Sequence, residues 1–285
     1  MSQNTRRLVV KVGTSTLTHD TMRPNLHLID LLTRTLADLQ NRGHSVILVT
    51  SGAIAVGADK LGLPGRPITL REKQAAAAVG QCSLMHIYDK FLSEYGSAAG
   101  QILLTRDDMD HPERRERLLD TFEALLGWGV LPVVNENDSV GIEEIESGTQ
   151  RVFGDNDSLS ARVAALVGAD LLVLLTDRDA LYDSDPRQNP NAKPIRVVHA
   201  VDDALRASAG GAGSNRGTGG AATKIAAGQI ALENGFDMVI AHGMDPTLLY
   251  DIVEGKPVGT LFTAAAPATP ELFAAKRASA GGGAR

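Results

Sequence analysis

The chain has 285 residues, 22% of them charged and 43% hydrophobic, which is enough to bury a sizeable core as one large α/β domain or two smaller ones. A formal net charge of -6 excludes a general nucleic-acid surface, and no apolar run is long enough to span a bilayer. The Arg114-Arg115-Arg117 cluster sits among acids and reads as a solvated helix face. Cys82 is the only cysteine, so no disulfide can close within the chain, which fits a reducing cytoplasm. Its small, polar neighbours mark it as a buried, inert thiol. The seven histidines are scattered without the spacing of a zinc site, and the N-terminal MSQNTRRLVVKVG is too weakly apolar for a secretory leader.

In chain order, the apolar β-rich runs are Leu8–Val12, Val46–Thr50, Gln101–Thr105, Val130–Asn135, Leu171–Thr176 and Met238–Ala241. Between them lie segments of helical period, such as Leu26-Ile29-Leu32-Leu36-Leu39 and Leu118-Phe122-Leu125-Leu126. The strands are continuous apolar runs rather than alternating ones, so both faces are covered. That predicts a three-layer αβα sandwich around a mainly parallel sheet. Ala207–Gly220, ASAGGAGSNRGTGG, is expected to be neither helix nor strand interior, and the Ala/Pro/Gly-rich tail 263–285 to fray from a body of residues 1–262.

In open parallel sheets ligands bind beyond the carboxyl ends of the strands, so the residues at each exit matter most. Lys11 lies inside the apolar run of VKVGTS, where it is either an edge-strand lysine reaching solvent or one aimed at an anion, with Gly13 admitting a phosphate to the backbone. Ser51-Gly52-Ala53 opens a helix, either with Ser51 as a plain N-cap or with free N–H groups facing a carboxylate. In NEND, Asn135 and Asp138 are candidates for a substrate's polar groups and its ammonium, against an Asx-turn reading. In FGDNDSLSA a helix begins near Ser158, and Asp155-Asn156-Asp157 offers more polar side chains than one cap requires. In GTGGAATK a helix starts at Ala221 with Lys224 in its first turn. A lysine there opposes the helix dipole by a few tenths of a kcal/mol, on the order of 0.3, and so fits a phosphate-facing role better than a surface one. No GxxxxGK[ST], HRD or DFG stretch is present.

In order and spacing, LVVKVGTSTLT, VTSGAIAVG, VLPVVNENDSV, FGDNDSLSA, LLTDRDALYDSDPR and GTGGAATK resemble the glutamate 5-kinases, a branch of the amino acid kinase family, over about residues 7–262. NEND followed by GDND separates that branch from acetylglutamate kinase, aspartokinase, uridylate kinase and carbamate kinase. The resemblance implies ATP- and Mg²⁺-dependent phosphorylation of the side-chain carboxylate of L-glutamate, the first step of proline synthesis, in the cytoplasm. It implies that Lys11 and Lys224 meet the transferring phosphoryl group and that Asp157 organises the two lysines; Asp155 is left as the candidate for a mainly structural or supporting role. Ser51, Gly52, Asn135, Asp138 and Asn156 match the glutamate side. Lys11, Gly13, Thr176, Asp177 and the run Thr218, Gly219, Gly220, Ala221, Ala222, Thr223 and Lys224 match the ATP side. No protein metal ligand is implied.

The same resemblance implies a homo-oligomer (dimer or tetramer), feedback inhibition by proline and hand-over to a glutamyl-phosphate reductase, without nucleic acid or membrane. Two segments depart from the family pattern: Val140–Phe153 is several residues longer, in the region tied to proline inhibition, and Asp107–Asp120 differs. The C-terminal PUA domain carried by many relatives is not in this sequence. The rival expectations are an acetylglutamate kinase-like carboxylate kinase, whose substrate has no ammonium for Asp138, and a non-catalytic amino-acid sensor, which would not need both lysines.

Overall fold

A computed structural model describes residues 5–140, 156–187, 189–209 and 220–265. In chain order the elements are β1 (Arg7–Val12), α1 (Thr14–Leu17), α2 (Leu26–Asn41), β2 (Ser45–Val49), α3 (Ala53–Lys60), α4 (Leu70–Glu94), β3 (Ala99–Leu104), α5 (Arg106–Asp110), α6 (Pro112–Gly127) and β4 (Leu131–Glu136). There follow α7 (Asn156–Leu166), β5 (Leu171–Thr176), β6 (Leu181–Tyr182), β7 (Pro194–Ile195), β8 (Val197–Val198), α8 (Asp203–Ala209), α9 (Ala221–Asn234), β9 (Asp237–His242), α10 (Leu248–Val253) and β10 (Thr260–Phe262).

Eight strands form one sheet in the order β3-β4-β2-β1-β5-β9-β10-β8, and every pairing is parallel except β9 with β10. β6 and β7 make a separate two-stranded hairpin. All six apolar runs became strands, within a residue or two of the expected bounds. The three-residue β10 was not foreseen, because it is too short to show a period.

Alternation along each strand sorts side chains to two faces. Val9, Ile47, Val134, Leu172 and Leu174 share a core with Phe122 of α6, Leu159 of α7 and Ile225 of α9. Leu8, Val10, Leu48, Val133 and Val173 share the other with Leu32 of α2, Leu84 and Tyr88 of α4, and Leu249 of α10. The sheet is therefore covered on both sides, as the continuous apolar runs require.

Helices α3 and α4 cross with their backbones in contact. A Cβ on Gly57 would lie 1.8 Å from the Ala76 carbonyl oxygen, and one on Gly80 1.7 Å from that of Ala53. No side chain fits at either position, so α4 is seated directly against the start of α3.

Four expectations need correction. Cys82 is exposed: the buried positions of α4 are Ala76, Ala77, Gly80, Gln81, Leu84, Tyr88 and Leu92, which leaves residue 82 on the outer side of the helix. The glycine-rich segment begins later than its composition suggested, because Ala207–Ala209 form the last turn of α8, while residues 210–219 lie outside the described ones. Helix α7 starts at Asn156, two residues before the expected Ser158. Thr263 remains packed, donating its N–H to the Val198 carbonyl at 3.0 Å, so the packed body reaches past residue 262. Among the described residues no helix is long and apolar enough to cross a membrane.

Candidate active site

Parallel pairing brings the carboxyl ends of β1, β2, β4 and β5 to one edge of the sheet. Lys11 has the same parity as Val9 and so faces α7 and α9. It is 7% exposed, which rules out the solvent-reaching alternative. Its Nζ lies 2.6 Å from Oδ1 of Asp157, and Nζ of Lys224 lies 3.2 Å from Oδ2 of the same carboxylate. Asp157 is 1% exposed; its Oδ2 also accepts the Thr223 hydroxyl at 2.8 Å, and its backbone carbonyl accepts the Ser160 hydroxyl at 2.6 Å.

Burial alone would raise the Asp157 carboxyl, but the two ammonium groups and the hydrogen bonds outweigh it and hold the pKa below the usual carboxylate value. Two ammoniums thus converge on one carboxylate in a place nearly closed to water, and an arriving polyanion would meet both of them there.

Three helix starts surround this cluster, each after a glycine and each without a side-chain cap: Gly13 before α1, Gly52 before α3 and Gly220 before α9. A helix start with no side-chain cap among the described residues suits an anion. Gly52 adopts φ +93°, a left-handed conformation that glycine accepts without strain. The N-cap of α3 is thus Gly52, and Ser51 is not a capping serine.

Asn156 and Asp157, consecutive at the start of α7, point to neighbouring places. While Asp157 turns to the lysines, the Asn156 amide Nδ2 donates to the Thr50 carbonyl (2.8 Å), Ser51 Oγ (2.7 Å) and Asn135 Oδ1 (3.1 Å). Asn135, buried near the end of β4, donates its Nδ2 to Oε1 of Gln81 on α4 at 2.9 Å. Thr50 is tied to α4 as well, its Oγ1 lying 2.7 Å from the fully buried hydroxyl of Tyr88. In the NEND segment Asn137 makes the turn, accepting from the Ser139 hydroxyl at 2.6 Å and, through its carbonyl, from Val140 N at 3.1 Å. Asn135 and Asp138 are left for other work. Burial pushes the Asp138 carboxyl up to about 6.

On the other side of β1, Thr176 ends β5; its hydroxyl donates to Asp177 Oδ1 at 2.9 Å, and its carbonyl accepts Gly243 N at 2.7 Å. Gly220, Ala221 and Ala222 open α9 ahead of Thr223 and Lys224. Direct contacts thus join Lys11, Asp157, Thr223 and Lys224 in one cluster and Ser51, Asn135 and Asn156 in another. Gly13 adjoins the first: a Cβ there would lie 3.6 Å from Lys11 Nζ. Thr176 and Asp177 bond to each other at the adjacent strand end. Asp155, Thr218, Gly219 and nearly all of the segment 140–153 lie outside the described residues. Gln81, Tyr88 and Thr50 were not anticipated. The available signal for Gln81 was a polar residue inside the apolar stripe of α4.

The sequence model of the amino acid kinase family matches residues 6–242. The chain is 50% identical to the glutamate 5-kinase of Clostridium perfringens (strain 13) over 262 residues, 92% of this chain and 97% of the relative. It is 54% identical to that of Clostridium acetobutylicum over 259 residues, 91% and 95% of the two chains. The isopentenyl phosphate kinase of T. acidophilum, solved as its product complex, superposes with a TM-score of 0.59 at 17% identity, covering 90% of this chain and 99% of that one. The UMP kinase of Bacillus anthracis superposes with a TM-score of 0.59 at 16% identity, covering 92% and 97%. At such identities the two structures bear on the fold alone.

Proposed function

The chain belongs to the amino acid kinase family, and from that premise we propose that it phosphorylates the side-chain carboxylate of L-glutamate with ATP, in the cytoplasm. It is a kinase of the glutamate 5-kinase type, the reaction that the names of its half-identical relatives give. The observation that carries the assignment of its parts is the buried Lys11–Asp157–Lys224 cluster, two ammoniums on one carboxylate, set beside the amide pocket of Ser51, Asn135 and Asn156.

A carboxylate nucleophile with an ordinary pKa of about 4.3 is already ionised at neutral pH and needs no general base. Its oxygen attacks the terminal phosphorus, the bond to the bridging oxygen breaks, and ADP leaves with the electron pair. The obstacle is repulsion between anions. Lys11 and Lys224 offset it, and Asp157 keeps both ammoniums in place between turnovers. The N-termini after Gly13 and Gly220 take phosphate oxygens, and that after Gly52 takes a carboxylate. Magnesium would enter with ATP as part of the substrate and would offset charge on its phosphates.

On the glutamate side, Asp138 and the carbonyl Oδ1 of Asn156 suit an ammonium. That favours glutamate over its N-acylated form, and the presence of both lysines favours an enzyme over a sensor. Purified protein given ATP, Mg²⁺, glutamate and hydroxylamine is expected to form glutamyl hydroxamate, and turnover of N-acetylglutamate or aspartate at an equal or higher rate would refute the assignment. Repeating the assay with proline tests feedback, which we propose together with a homo-oligomer and hand-over of the labile acyl phosphate to a reductase.

Asp138 gives the reaction a pH dependence with a definite sign. Only the ionised carboxylate holds an ammonium, and its pKa in the free site is raised to about 6. The value of kcat/KM for glutamate at saturating Mg-ATP is therefore expected to be level above pH 7 and to fall about tenfold per unit below pH 6. A profile flat down to pH 5 would remove Asp138 from substrate binding.

A further inference from the structure

Gln81 is a glutamine on a helix that lines neither half of the site, yet it is 8% exposed and its Oε1 accepts from Asn135 Nδ2 at 2.9 Å. Its own Nε2 is buried without a hydrogen-bond partner among the described residues. A buried idle donor is a standing penalty, and an apolar side chain of the same shape would avoid it. Packing alone therefore does not account for a glutamine here.

The chain of amides supplies the reason. Asn156 Nδ2 donates to the Thr50 carbonyl, which can only accept, so the direction of the whole series is fixed at that end. Asn156 Nδ2 then donates to Asn135 Oδ1, and Asn135 Nδ2 donates to Gln81 Oε1. Gln81 accepts in the sense dictated from the Thr50 end, and its bond adds to the cost of turning Asn135, which would set NH₂ against the NH₂ of Asn156. Asn156 is thereby held with its NH₂ against the strand ends and its carbonyl Oδ1 turned away from them, and Ser51 Oγ, already accepting, keeps its hydrogen for an anion. The glycine crossing of α3 and α4, with Gly80 directly preceding Gln81, fixes the helix that makes this contact.

We propose that Gln81 is a positioning residue for amino-acid selectivity: by accepting from Asn135 it holds Asn135, and through it Asn156, in the orientation that the Thr50 carbonyl selects, and so keeps the pocket an acceptor for the substrate's ammonium. The inference rests on the glutamate-kinase reading and deepens it. Its signature is a defect confined to the amino acid and to the part of it that bears the ammonium.

The test uses the full chain and initial rates of ADP release, with glutamate and with glutarate, the same diacid without the ammonium. Gln81→Met is expected to raise KM for glutamate about tenfold, leave KM for ATP within twofold, and lower the preference for glutamate over glutarate by a similar factor. In an Asn135→Ala background the same substitution is expected to add nothing. The proposal is overturned if the glutamate KM of Gln81→Met stays within twofold of the parent. It is equally overturned if both substrates and ATP suffer alike, or if the penalty persists undiminished in the Asn135→Ala background. Should the methionine variant not fold, Gln81→Asn, which withdraws the acceptor by one methylene, is expected to give the same glutamate-only defect. A parent protein that releases no ADP with glutamate refutes the reaction itself, whereas an active parent with an unaffected variant refutes only the role of Gln81.

Discussion

Lys11→Ala and Lys224→Ala are each expected to lower kcat roughly 10²–10³-fold, the range found when one charge contact to a transition state is removed. The reason lies in the count of charges. Each lysine brings one ammonium to the Asp157 carboxylate at the strand ends, and removing either halves that positive charge. The remaining ammonium offsets less of the charge that repels the incoming carboxylate. KM for glutamate, set by groups on the far side of β1, is expected to change far less than kcat. Single-turnover rates with Mg-ATP and glutamate measure the effect directly, and a rate near the parent's in either variant would take that lysine out of the mechanism.

Asp157→Asn is expected to damage stability and catalysis together. The substitution is nearly isosteric but takes from two ammoniums, each 7% exposed, the carboxylate they share. Breaking a buried pair from one side typically costs about 3–5 kcal/mol. For a chain of this size that corresponds to a fall in Tm of roughly 6–15 °C. The lysines would also lose the group that holds them in place, so kcat is expected to drop at least as far as in the single lysine variants. A helix cap would behave otherwise, losing about 1 kcal/mol with kcat kept. Thermal melts and initial rates on one preparation separate the two roles.

The acid limb has a definite sign as well. The Asp157 pKa is depressed, so its contribution to stability is complete above the unfolded value near 3.8 and lost as pH falls through the lower folded value. Between pH 5 and 8 Asp157 imposes no pH dependence on folding.

Much of this was legible in the sequence because burial on both faces leaves a simple signal: runs such as LLVLLT can only be central parallel strands, and the residues at their exits are the ones a ligand meets. Lys11 stood out because a charge inside such a run needs a reason, but the run could not say where the reason lay. Asp157 is 146 residues further on, and only the pairing of β1 with β5 and the seating of α7 bring the two together. Gln81 was hidden for the same cause, since its partner is 54 residues away on β4 and its own helix reads as an ordinary alanine-rich one. Cys82 was misjudged from its small neighbours. Small residues on α4 face both the α3 crossing and the outside, and composition does not distinguish the two.

The place of β1 in the sheet bears on how the chain is made. The first 136 residues carry four neighbouring strands, β3-β4-β2-β1, and thus half of the main sheet. The other edge of β1 has no partner until residues 171–176 are synthesised. For that interval the nascent protein presents an apolar strand edge, Leu8–Val12, of the kind that recruits other chains. Lys11 sits in the middle of that edge with neither Asp157 nor α9 yet available, and an unpaired lysine on an open edge is the ordinary device against such pairing. The same ammonium that later faces a phosphate would first serve as a guard on the half-built sheet.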